Sequence, residues 1–222
     1  PLCYGLAAVS ITRLSLEEAP KPPSTTSVWT EIGEGLQVLK QVPSVRGAML
    51  HLVLLYSLLA ALYVLALQLA ALIDSLGASG FGALLAMSGV GMAIGAVVIA
   101  QAGHRFSRRR LSATGLGTIT WTLVLLSQLR GSLGFTLGLC GILGVGAALV
   151  AIPAQTTIQE ETPESERGRV FGLQNNLINI ALSLPLVLAG TLVSSIGLQP
   201  VLLLLAGLAL TAALLERPWQ RC

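Results

Sequence analysis

The chain has 222 residues, 54% of them hydrophobic and only 10% charged, with a formal net charge of +3 and a mean hydropathy of +0.80. A soluble domain carries about twice that share of charge, so an ordinary cytosolic enzyme is excluded, and disorder is excluded by the hydrophobicity. The class that remains is an integral membrane protein, in which the basic excess marks the loops held on the cytoplasmic side rather than a nucleic-acid surface.

In chain order, the apolar run at 1–14 is too short to cross a bilayer and reads as the tail of a transmembrane helix. Residues 15–47 follow as a cytoplasmic linker. Pro20, Pro22 and Pro23 extend it, and Trp29, Ile32, Leu36 and Leu39 recur at helical spacing, which predicts a short amphipathic helix on the membrane surface. The prolyl bond at Val42-Pro43 ends it.

Six long apolar runs come next, at 48–73, 81–103, 111–129, 132–153, 170–196 and 200–215, and residues 216–222 form a polar tail. Backbone amides inside lipid must be bonded within their own segment, so runs of this length are helices, and the ~10-residue alternation of a barrel is missing. Alternating the joints places Arg13, Lys21, Lys40, Arg46, Arg105, Arg108, Arg109, Arg110, Arg167, Arg169, Arg217 and Arg221 on one side and Arg130 alone on the other. That bias supports both the count and a cytoplasmic location for the two ends of the bundle. No Asp or Glu falls within the six runs, and Asp74 sits just beyond the first. In the joint after the fourth run, Thr162 is a candidate N-cap, Pro163 suits a first helical position, and Glu164 and Glu166 suit a positive helix end. The predicted fold is all-α and membrane-integral, its six helices dividing as three plus three with opposite topology, the plan of an inverted repeat.

Three stretches carry a family resemblance. They are Trp29-Thr30-Glu31-Ile32-Gly33-Glu34-Gly35-Leu36 with Pro43-Ser44-Val45-Arg46, the basic joint Ala100 to Arg110, and Pro163-Glu164-Ser165-Glu166-Arg167-Gly168-Arg169-Val170-Phe171-Gly172-Leu173. They resemble the middle cytoplasmic segment, the repeated basic loop and the start of the eleventh helix of major facilitator superfamily transporters, in the branch of enterobactin-type siderophore exporters and drug effluxers. The basic joint departs from the family pattern, with His104 at the usual Asp and Ala100 and Ser107 at usual glycines. The resemblance implies the C-terminal half of a twelve-helix transporter in the plasma (inner) membrane, with its N-terminal six-helix half missing. It also implies export of a small organic molecule by alternating access. A lipid flippase on the same fold and a non-transporting six-helix subunit are the alternatives.

Few polar side chains lie within the runs. His51, near the cytoplasmic end of the first, is either a proton relay or an interfacial histidine. Tyr56 and Tyr63, seven apart, share a helix face, as cavity wall or as packed tyrosines, and Gln68 lies on another face. Asn175, Asn176, Asn179 and Ser183 cluster early in the fifth run. Amides in hydrocarbon must face protein or water, so they line a substrate cavity or tie helices together, and Gln155 and Gln159 close the fourth run towards the same vestibule. Gly91 and Gly95, and again Gly134 and Gly138, form small-xxx-small pairs suited to helix packing, with Gly141 and Gly144 beyond, and Pro185 kinks the fifth helix. Arg105, Arg108, Arg109, Arg110, Arg167 and Arg169 form a cytoplasmic basic surface, set either by topology or for docking to acidic groups or anionic lipid. Catalytic and metal-ligating motifs are absent: there is no GxSxG or HExxH, the only histidines are His51 and His104, and Cys3, Cys140 and Cys222 stand far apart. No cofactor is expected, and the partners expected are the lipid bilayer, the missing half and a small-molecule substrate, not nucleic acid.

Overall fold

A computed structural model describes residues 39–71, 80–128 and 132–215. The helix-six tail, the proline linker, most of the amphipathic helix, Asp74, Arg130 and the C-terminal tail lie outside the described residues. Six long helices follow one another: α1 (Pro43–Ala71), α2 (Phe81–Ala102), α3 (Arg108–Gln128), α4 (Leu133–Glu161), α5 (Arg167–Ile196) and α6 (Leu198–Leu215). Single 3-10 turns, Gly103–Arg105 and Glu164–Glu166, sit in two of the joints. The described residues contain no strand.

Five of the six helices are long and apolar enough to cross a membrane; α3 is the exception. It opens on Arg108, Arg109 and Arg110 and is rich in hydroxyls. Those hydroxyls are satisfied within the helix itself: Thr114 donates to the Leu111 carbonyl at 2.9 Å, Thr118 to Thr114 at 2.8 Å, Thr120 to Leu116 at 2.9 Å and Thr122 to Thr118 at 2.7 Å. A threonine bonded back in this way presents mainly its methyl group to its surroundings, which suits a helix wedged between apolar neighbours. Outward-facing side chains are large and apolar around the whole bundle, including Val97, Trp121, Phe135, Ile180 and Val187, the last 68% exposed. Such a surface is stable against lipid, not water, and the protein is a multi-pass membrane protein.

Helix boundaries differ from the apolar runs where polar residues prolong a helix beyond the hydrocarbon. The fourth run ends at Pro153, whereas α4 continues to Glu161 with Pro153 inside it. One proline removes a single backbone bond. Beyond it the helix regains regular bonding, and Thr157 adds a bond of 2.8 Å to the Pro153 carbonyl. Thr162 serves the end of α4 rather than the start of α5: its hydroxyl donates to the Ile158 carbonyl at 2.6 Å, and α5 begins at Arg167 with no side-chain cap.

Packing exchanges the two halves of the bundle. The second helix of each triplet packs on the first helix of the other: α2 on α4, and α5 on α1. The third helices α3 and α6 pack together, and α1 meets α4 at the centre. This is the arrangement expected of a three-plus-three repeat. Val45, Ala48, Met49 and Leu52 of α1 join Ala154 and Ile158 of α4 and Val170 and Leu173 of α5 in one cluster at the basic end. Ala66 and Ala70 join Leu84 and Cys140 at the opposite end. The joints at 103–107 and 162–166 therefore lie on the same side, and successive helices run in alternating directions.

Glycine decides where backbones touch. A Cβ placed on Gly91 would collide with the Gly141 carbonyl, and one on Gly144 with the Ser88 carbonyl. Gly95 lies where a Cβ would come 2.8 Å from Ala148 Cβ, and Gly115 of α3 where a Cβ would come 2.8 Å from the Gly146 carbonyl oxygen. Gly134 and Gly138 meet nothing within 4 Å. The close approach of α4 to α2 is thus made by Gly141 and Gly144, one to three turns further along than the small-xxx-small pair that the spacing singles out. At the α5–α6 joint Gly197 adopts φ 85°, a value open to glycine, and its N–H caps Val193 at 3.0 Å.

Candidate functional site

Helix α5 is the least covered of the apolar helices. Its buried positions are Val170, Leu173, Gln174, Ala181 and Ala189, a single stripe turned towards α1. Asn175, Asn176, Asn179 and Ser183 all lie outside that stripe and are exposed. Ser183 donates its proton to the Asn179 carbonyl at 2.8 Å and keeps its lone pairs outward. At 1.5 Å per residue, Asn175, Asn179 and Ser183 lie roughly 12, 18 and 24 Å from the start of α5, well within hydrocarbon depth. Exposed amides at that depth need water or another protein surface.

The other candidates divide between two levels. Tyr56 is half-buried and packs against the cluster at the basic end, as Leu177 of α5 does. It is about 20 Å along α1, level with Asn179. Tyr63 is seven residues further and exposed, and its ring meets Phe81 edge-on, with centroids 6.0 Å apart at 88°. Gln68 is exposed still nearer the far end. The structure therefore groups Tyr56 with the α5 amides by depth and leaves Tyr63 and Gln68 apart from them. His51 is half-buried within the basic-end half of α1 and engages another residue.

A partly open cavity of about 40 Å³ lies towards the far end, lined by Leu62, Leu65, Leu84, Leu126 and Leu143 with Ser88 and Cys140 in its wall. It has room for little more than a water molecule, far below the ~300 Å³ of a small-molecule site. An organic solute of ordinary size does not fit this space.

At the basic end, Arg108 reaches across from α3 to the last turns of α4. Its Nη1 lies 3.5 Å from both Thr157 Oγ1 and Glu161 Oε1, and its Nη2 pairs with Glu160. Arginines at a helix start and glutamates at a helix end each oppose their own helix dipole. Pairing the two ends offsets both. Arg167 pairs with Glu164 at 3.4 Å and Arg169 with Glu166 at 2.9 Å, so these arginines are tied locally. Arg105 and Arg110 are exposed beside Phe106, and Arg109 is half-buried with a partner.

One polar residue escaped the sequence reading. Gln174 is buried to 8% exposure, and its Nε2 donates to Gln155 Oε1 of α4 at 2.8 Å. Its own Oε1 is buried without a hydrogen-bond donor among the described residues. The signal was present: Gln174 falls in register with Val170, Leu173 and Ala181 on the inward stripe, whereas the neighbouring asparagines do not. Among the described residues, no three His, Cys, Asp or Glu side chains come together as a metal site would need.

The profile of the Major Facilitator Superfamily matches residues 6–219, nearly the whole chain. The chain belongs to the major facilitator superfamily. It is also 33% identical over 204 residues to an uncharacterized MFS-type transporter, YfiS, of Bacillus subtilis (strain 168), an alignment covering 83% of this chain and 45% of that protein. The chain thus spans about half the length of the curated relative it matches. No solved structure matches it. The all-α bundle described above is consistent with a partial fold of that superfamily.

Proposed function

We propose that this chain forms one six-helix half of a secondary transporter that exports a small organic molecule, siderophore-like or drug-like, across the plasma membrane by alternating access. A second six-helix bundle, the N-terminal half, stands against α5 and encloses the substrate between the two. The basic end then faces the cytoplasm, and the two bundles rock about a site near mid-membrane.

A single observation carries the reading: Asn175, Asn179 and Ser183 form a polar stripe on a helix of membrane-spanning length that the other described residues leave uncovered. Lipid is a poor partner for three such groups, whereas a hydrated cavity between two bundles suits them. Tyr56 stands at the same depth and supplies an aromatic wall. The half-length alignment to YfiS agrees with a second bundle of similar size. No carboxylate lies within the described helices at bilayer depth, so His51 is the candidate here for carrying a coupled proton.

The test is efflux from cells lacking their own exporters, using the intact gene and a panel of fluorescent drug-like dyes and catecholate siderophores. Expression is expected to lower accumulation of at least one compound. Asn175→Ala and Asn179→Ala are each expected to cut that efflux by roughly tenfold, the worth of a lost hydrogen bond to a bound solute. Normal efflux in the double alanine variant removes the stripe from the substrate path.

A further inference from the structure

Gln174 is an expensive residue for its position. Its neighbours on the inward stripe of α5, Val170 and Leu173, belong to the apolar cluster at the basic end. A leucine there would extend the cluster at no polar cost, whereas the amide makes one bond, to Gln155, and leaves its buried carbonyl oxygen without a donor. An unsatisfied buried acceptor is destabilising. A polar group kept at such a cost in an apolar seam has one well-attested use, which is to select a single register, as one buried asparagine does in a coiled coil.

Helix α5 needs such a device. It packs chiefly on α1, and beyond Gln174 its buried residues include the small side chains Ala181 and Ala189, which resist rotation weakly. Helices α4 and α5 share the apolar cluster at the basic end, and the Gln155–Gln174 bond adds a directional polar tie from α5 to the centre of the bundle. Successive residues are 100° apart around a helix. Holding Gln174 inward therefore holds its neighbour Asn175 outward, and Asn179 one turn later with it.

We propose that the Gln155–Gln174 pair is a positioning device that sets the rotational register of α5 and so aims Asn175 and Asn179 away from α1. Its meaning for transport rests on the reading of those asparagines as substrate-facing; its test does not. In a chain carrying Cys3→Ala, Cys140→Ala and Cys222→Ala, single variants Asn175→Cys and Asn179→Cys are labelled in membranes with N-ethylmaleimide. Gln174→Leu is expected to leave thermal stability equal or raised, yet to change the two labelling rates by roughly fivefold, the worth of one hydrogen bond in a balance between registers. Gln155→Leu is expected to shift them the same way, and the double variant Gln155→Leu/Gln174→Leu no further than either single, because both break one bond. Should Gln174→Leu not fold, Gln155→Leu, at a half-buried site, carries the test. Unchanged labelling rates in either folded variant, or effects that add in the double, overturn the proposal. Normal transport by asparagine-to-alanine variants would instead sink the substrate reading and leave the register intact.

Discussion

Gly91 and Gly144 are separated from facing backbone by less than one methyl group needs, while Gly138 faces open space. This difference has a measurable consequence. Gly144→Val is expected to force α2 and α4 apart and to cost about 1–3 kcal/mol, the usual penalty of overpacking. Gly138→Ala should leave the melting temperature in detergent unchanged or slightly raised, since alanine favours the helix. Equal melting of the two variants would show that the α2–α4 seam does not run through Gly144. The spacing of glycines was legible in the sequence, but which of them face a neighbour was not. Gly134, Gly138, Gly141 and Gly144 all lie within three turns of one helix, and only the placement of α2 separates the last two from the first two. Gln174 teaches the opposite lesson, because its inward orientation could be read from its register with Val170, Leu173 and Ala181.

At the level of elements, the two ends of α3 and α4 that violate their own dipoles explain each other. Arg108 and the pair Glu160 and Glu161 are substantially exposed, so their attraction is screened and weak. Glu160→Gln with Glu161→Gln is expected to cost less than about 1 kcal/mol of stability in thermal melts. A larger loss would mean that the end of α4 depends on this clamp. Helix α3 reached its place despite falling short in apolarity, because its threonines bond their own carbonyls and because α4 and α6 cover it. Helix α4 outran its apolar stretch because Pro153 interrupts hydrogen bonding at one point without ending the helix. Both departures arise where hydropathy and helicity are different properties. A run of apolar residues reports the hydrocarbon depth, and a helix continues past it as long as its backbone groups find partners.

For the whole molecule, the alternation of helix direction is the prediction most directly open to experiment. Ser107→Cys and Ser165→Cys are expected to react with a membrane-impermeant maleimide from the same side of the membrane, and Ser132→Cys from the other. Reaction of Ser107→Cys and Ser165→Cys from opposite sides would break the six-helix count. The sequence by itself determined that the chain is an all-α, multi-pass membrane protein, because lipid imposes length and apolarity on every segment independently. Only the tertiary structure decided that α5 pairs with α1 and α2 with α4, that Gln155 meets Gln174, and that Tyr56 rather than Tyr63 lies level with the asparagines. Those outcomes depend on which faces touch across 19 or more residues of chain, and neighbouring faces inside a membrane are chosen by close packing and polar pairing, to which hydropathy is blind.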